Sequence, residues 1–189
     1  MGCSRELISL VSQISCLTVT RLHDDPASTR SNEAAGLMKQ LSFLRQDLPI
    51  GLEHSEIMVK IAELKRLTAM LYLHDRVVVT QPGNSLVFAQ NLRNTIIKAI
   101  EQLPVGIGAL LWLLFVLGTS NLSSHKQAQF ALNRLHQLEK SRYLGSFYHA
   151  RRRVERSIHR RILLHGGGLQ GIPEEDTTLS DNERWVSVA

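Results

Sequence analysis

The side chains best equipped for chemistry in this chain crowd into one stretch, "HARRRVERSIHRR", His149 to Arg161. It carries Arg151, Arg152, Arg153, Arg156, Arg160 and Arg161. A guanidinium is always charged and presents a planar fork of donors that matches carboxylates and phosphates. Contacts to phosphates would add affinity that is blind to base sequence and weakens with salt. A short basic run also reads as a nuclear-import patch or a partner surface. The same stretch holds Val154 and Ile158 at helical spacing, so the arginines read equally as the solvated face of a core-packed helix. Pairing with the acidic residues after Pro173 is a further use. All of these readings stay open at the level of residues.

Other candidate groups lead to less. The eight histidines include no pair four apart with a glutamate between, the helical zinc-protease spacing. His125 and His136 lie three helical turns apart, too far to share an ion. "HGGGL", His165 to Leu169, resembles a phosphate cradle or an oxyanion loop only in its glycines. Leu169 and Gln170 stand where a phosphate loop needs Lys-Ser or Lys-Thr, and no Gly-x-Ser-x-Gly elbow occurs. Cys3 and Cys16 are the two cysteines, enough for neither a four-ligand zinc site nor a disulfide framework. They read as buried, helix-facing thiols in a reducing compartment. The expectation is a protein without catalytic residues, metal or cofactor.

The elements that would carry these residues are governed by "PVGIGALLWLLFVLGTSN", Pro104 to Asn121. From Val105 to Gly118 no residue is charged. A membrane-crossing helix needs about 20 apolar residues, whereas runs of about 10–14 are more often core helices. Gly106, Gly108 and Gly118 lie within it, and its flanks are helix-boundary residues. It therefore reads as a central helix, apolar all round, that other helices must surround. At the N-terminus Gly2-Cys3 suggests lipidation, but Glu6 stands where the myristoylation pattern wants Ser or Thr. Ser4 reads instead as a helix cap. A membrane-associated or lipid-anchored interaction protein remains the alternative to a helical domain surrounded by water.

Periodicity supplies the surrounding helices. Leu7, Leu10, Val11, Ile14 and Leu17 mark the first, which runs to about Thr18. "RLHDDPASTRSN" reads as a loop, and the second helix carries Leu37, Met38, Leu41 and Leu44. The third places Ile57, Ile61, Leu64, Leu67, Leu71 and Tyr72 on one side. "VVVTQPGNS" reads as an extended connection from Val77, with Asn84 or Ser85 capping the fourth helix. That helix lines up Leu86, Ala89, Leu92, Ile96, Ile100 and Leu103. Ser123 or Ser124 starts the sixth, with Leu132, Leu135 and Leu138 inward. The seventh follows Gly145 with Phe147, Ala150, Val154, Ile158 and Ile162. The fold expected is all-α, a bundle of about seven helices around the apolar helix at 105–118. Its domain spans 1–165, and 166–189 is a flexible acidic tail with Glu174, Glu175, Asp176, Asp181 and Glu183. A composition of 43% hydrophobic and 21% charged residues agrees with a globular chain.

Several segments together resemble the fungal-specific transcription factor domain, the regulatory region of fungal regulators that carry a binuclear zinc cluster. They are "GCSRELISLVSQIS", Gly2 to Ser15, and "LYLH", Leu71 to His74. "WLLFVLGTS" keeps the family's Trp112, Leu114, Phe115 and Gly118, and "LEKSRYLGSFYHARRRVE" spans Leu138 to Glu155. "NERWVSV" in the tail is faintly similar to a closing Asp-Trp. The chain departs from the pattern at Leu113, where the family has proline, and at Thr119 and Ser120, where Cys and Glu are usual. Ile158 stands at a Trp position. The family's six-cysteine DNA reader has no counterpart in these residues; it is either lost or encoded upstream of Met1.

The resemblance implies a nuclear regulatory module that acts in RNA polymerase II transcription through protein partners. Trp112, Phe115 and Gly118 would then be packing residues. Sequence-specific DNA binding by this chain does not follow from the resemblance.

Overall fold

The computed structural model describes residues 4–19, 27–45, 55–78, 84–120, 124–141 and 145–165. These residues form seven α-helices and no strand. The helices are α1 (Arg5–Val19), α2 (Ala27–Phe43), α3 (Ser55–Leu73), α4 (Asn84–Glu101), α5 (Leu111–Thr119), α6 (His125–Ser141) and α7 (Gly145–His165). A π-helical turn, His74–Val78, prolongs α3, and a 3₁₀ turn, Gly108–Leu110, leads into α5. Gly2, Cys3 and residues 166–189 lie outside the described residues.

Local chemistry starts the helices where the side chains permit. The Ser4 hydroxyl accepts the Leu7 N–H at 3.2 Å, and Glu6 lies in the first turn of α1, where a negative charge suits the helix dipole. Before α6 a reciprocal capping box forms. Gln127 N–H donates to Ser124 Oγ at 3.3 Å, and Ser124 N–H donates to Gln127 Oε1 at 3.1 Å.

One buried cluster joins all seven helices. It includes Leu7, Leu41, Leu64, Ile96, Leu113, Leu135 and Val154. The first three helices pack on one another, α3 packs on α4 and α5, and α5, α6 and α7 pack mutually.

The all-α expectation holds, but the apolar run is not a single helix. Val105 and Gly106 form a turn, and α5 proper holds nine residues. Gly106 sits at φ 99°, a left-handed conformation that costs a residue with a β-carbon. Nor is α5 covered on every side. Leu113, Leu114, Val116 and Leu117 are buried, while Leu111, Trp112 and Phe115 are half-buried. Trp112 leans edge-on against Tyr72 of α3, ring centroids 6.3 Å apart. Among the described residues no helix is long and apolar enough to cross a membrane.

Five other expectations shift. Cys16, expected to be buried, is exposed on α1. The polar segment "ASTRSN" is the first part of α2 and not a loop; its helix lacks an apolar period there because Ser31, Asn32 and Glu33 are exposed. Val77 and Val78 continue a helical turn and are not extended. Leu86 (53% exposed) and Ile162 (52% exposed) fall outside the core, because each lies at the outer end of its helix. Leu132 is half-buried, and Ala128 and Ala131 take the inner positions of α6 beside Leu135 and Leu138.

Candidate functional site

Three stretches of chain meet in space at the C-terminal end of α5: His74 and Asp75 of the π-helical turn, Gly118 and Ser120 at the end of α5, and Val154 and Arg161 of α7. Their closest meeting is at Gly118. A β-carbon there would stand 2.6 and 2.9 Å from the two methyls of Val154 and 3.4 Å from Ala131. Only glycine lets α5 approach α6 and α7 this closely.

One step further along the chain is a buried polar node. Arg93 of α4 is 1% exposed. Its Nη2 donates to Asp75 Oδ1 at 2.7 Å and to Ser120 Oγ at 2.8 Å. The Ser120 hydroxyl in turn donates to Asp75 Oδ2. Asp75 belongs to the π-helical turn, and the buried His74 places Nδ1 3.6 Å from its carboxylate. The other face of His74 meets Phe88 of α4, ring centroids 6.1 Å apart. A buried charge is tolerated only when paired and hydrogen-bonded, and Asp75 with Ser120 supplies that pairing.

A second guanidinium closes the node from α7. Arg161 donates from Nη1 to the Ser120 carbonyl at 2.7 Å and from Nη2 to the Gly118 carbonyl at 2.7 Å. Burial holds its pKa below the ordinary arginine value, and the nearby charge of Arg93 lowers it further. Helix α5 has no basic residue in its own last turn, so Arg161 supplies the cation its unsatisfied carbonyls favour.

This device recurs. Arg134 of α6 donates to the Ile100 and Leu103 carbonyls at 2.9 and 2.8 Å, closing the end of α4. Arg66 of α3 donates to the Leu41 carbonyl of α2 at 2.8 Å. Its pKa is raised, chiefly by its hydrogen bonds to Glu63. Three guanidinium groups thus fasten helix ends from neighbouring helices.

The six arginines of α7 divide into two sets. Arg151 is half-buried; its Nε meets Glu139 at 2.6 Å and its Nη1 meets Glu155. Its pKa is raised, first by the hydrogen bond to Glu139. Arg161 closes α5 as described. Arg152, Arg153, Arg156 and Arg160 are exposed, and Arg152 reaches Glu155 only at 3.5 Å. The acidic tail that sequence reasoning offers as their partner lies outside the described residues.

Sequence reasoning missed Arg93, Asp75 and Ser120 as a unit. The signal existed for two of them. Arg93 lies between Ala89 and Ile96 at spacings of four and three, inside the apolar stripe of α4. Asp75 follows Leu71 by four on the inner side of α3. A charge at a core position needs a partner.

A family model, the fungal specific transcription factor domain, matches residues 1–157. The chain belongs to this family. No curated protein and no solved structure matches it. The fungal-specific transcription factor domain is a regulatory domain of transcription, in general nuclear and without catalysis, and its role fits regulatory protein partners. In this member its matched region ends within α7, between the inward Val154 and the inward Ile158. The polar node and the Gly118 contact tie that helix back to the centre of the domain.

Proposed function

We propose that this fungal-specific transcription factor domain acts on RNA polymerase II transcription in the nucleus through protein contacts. The observation that carries the reading is the family match along residues 1–157. The exposed arginines Arg152, Arg153, Arg156 and Arg160 are its import or partner surface. Arg151 and Arg161 hold that helix in place. A surface of this kind suits an acidic protein, since guanidinium forks match carboxylates.

The test is a cell experiment with the full chain. Tethered to an unrelated DNA-binding domain at a reporter promoter in a fungal cell, it changes reporter output. Replacing Arg152, Arg153, Arg156 and Arg160 by Gln lowers nuclear accumulation or abolishes the reporter effect, while circular dichroism of the purified variant stays unchanged. A chain that leaves the reporter untouched, or that pellets with membranes and resists carbonate extraction, overturns the reading. Retention of any DNA duplex that weakens steeply with salt would point to phosphate contacts instead.

A further inference from the structure

Six hydroxyls on the helices, those of Ser15, Ser42, Thr68, Thr95, Thr119 and Ser141, donate to a carbonyl one turn back. Ser157, in the middle of α7, makes no such bond: its hydroxyl has no hydrogen-bond partner among the described residues. The residue is half-buried, on the border between the inner and outer lines of the helix.

What surrounds that hydroxyl is cationic. On a helix, residues three and four apart share a face, with β-carbons about 5–6 Å from one another. For Ser157 these include Arg153, Arg160 and Arg161. Arg153 and Arg160 are exposed, and Arg161 reaches from here to the end of α5. Glu155 lies on the opposite side of the helix, held by Arg151. Beyond Arg161 is the buried node, where Asp75 pairs with Arg93. The charge of Arg93 adds to burial in lowering the Arg161 pKa. The neighbourhood is therefore short of negative charge. A phosphoryl group on the Ser157 oxygen would bring about −1.5 to −2 charge and three acceptor oxygens.

We propose that Ser157 is a phosphorylation site whose phosphate seats between Arg153, Arg160 and Arg161. The serine oxygen attacks the terminal phosphorus of a nucleoside triphosphate held by a protein kinase. The bond from that phosphorus to the departing diphosphate breaks, and the serine proton passes to a base of the kinase. Arg160 and Arg161 follow the phosphate in sequence, the favourable order for an acid–base pair on a helix. Ser157 also lies two turns before the end of α7, outside the last turn, where negative charge opposes the helix dipole. Access comes from that end. Past Ile158 the helix exposes His159, Arg160, Ile162 and Leu163 and is fastened by Arg161. Helix ends with so little buried open at low free energy. Once opened, the chain offers a kinase Arg152, Arg153 and Arg156 on the N-terminal side of the serine. After reclosure the phosphate offsets part of the exposed arginine charge and weakens the hold on an acidic partner. That consequence rests on the functional reading above; the site itself does not.

Three measurements on the full chain test this. Isolated from a fungal cell with phosphatase inhibitors present, the chain carries phosphate on Ser157 by mass spectrometry; phosphate missing from Ser157 overturns the site. Phosphoserine is then encoded at 157 and followed by phosphorus NMR against pH. Its midpoint lies about one pH unit below that of the same chain with Arg153→Gln and Arg160→Gln, because opposite charges within about 4–6 Å favour the dianion. Both substituted positions are exposed, and circular dichroism checks that helix content is equal. Equal midpoints overturn the seat among the arginines. Poly-glutamate serves as the acidic probe, and the phosphorylated chain binds it about fivefold more weakly, the loss of two exposed ion pairs. Equal binding overturns the regulatory role and leaves the site standing. An unmodified chain that ignores poly-glutamate counts against the functional reading instead, and the phosphorus titration is independent of it.

Discussion

Arg160 and Arg161 are neighbours in sequence and opposites in structure. Arg160 is exposed on the outer line of α7. Arg161, one residue on, is half-buried and fastened to the Gly118 and Ser120 carbonyls. The difference is one of helix phase. Arg161 follows Val154 and Ile158 at spacings of four and three, so it extends the inner line, and Arg151 lies on that line between Phe147 and Val154. A basic run therefore has to be divided by phase before it is read as a surface. The inner members fix the helix, and the outer ones face solvent.

The contrast breaks first where the buried node is cut. Asp75→Ala leaves Arg93 buried without its carboxylate, and unfolding in urea should show a loss of about 3–5 kcal/mol. A loss under about 1 kcal/mol would mean that the node tolerates water and does not hold α4 to α5.

Gly118→Ala comes next. The added methyl meets Val154, which is packed on all sides, so overpacking should cost about 1–3 kcal/mol. Combined with Val154→Ala the two changes should be non-additive, by about 0.5 kcal/mol or more, because the clash is removed with its partner.

Arg161→Ala removes two charge-assisted bonds and should cost about 1.5–3 kcal/mol in the same assay. Arg160→Gln should stay within about 0.5 kcal/mol. Equal losses from these neighbours would dissolve the distinction between inner and outer arginines.

Most of the fold was legible because apolar residues recur at three and four in helices that bury one face. What periodicity missed has physical causes. Ala27–Asn32 is helical with little to bury, so it left no apolar signature. Val77 and Val78 are β-branched and read as extended, yet they lie in a π-helical turn held against α2 and α4. The apolar run hid its own break, since Val105, Ile107 and Ala109 are as apolar as the helix after them. Pro104 and Gly106 were the legible signs of it. The site was half legible. The basic stretch was visible as charge, but its division required the inner line to be drawn through arginine as well as through valine and isoleucine. The polar node was not visible, since it joins Asp75 to Arg93 and Ser120 across 18 and 45 residues of chain.

The apolar faces of α5 have a consequence for biosynthesis. Two of the helices that cover it, α6 and α7, are translated after it, and α7 ends 46 residues beyond Thr119. At about 5–20 residues per second, the ribosome leaves "LWLLFVLG" without that cover for several seconds. During that interval the nascent chain is a natural client for chaperones, and a stop codon between α5 and α6 should yield an aggregating product and not a smaller folded one.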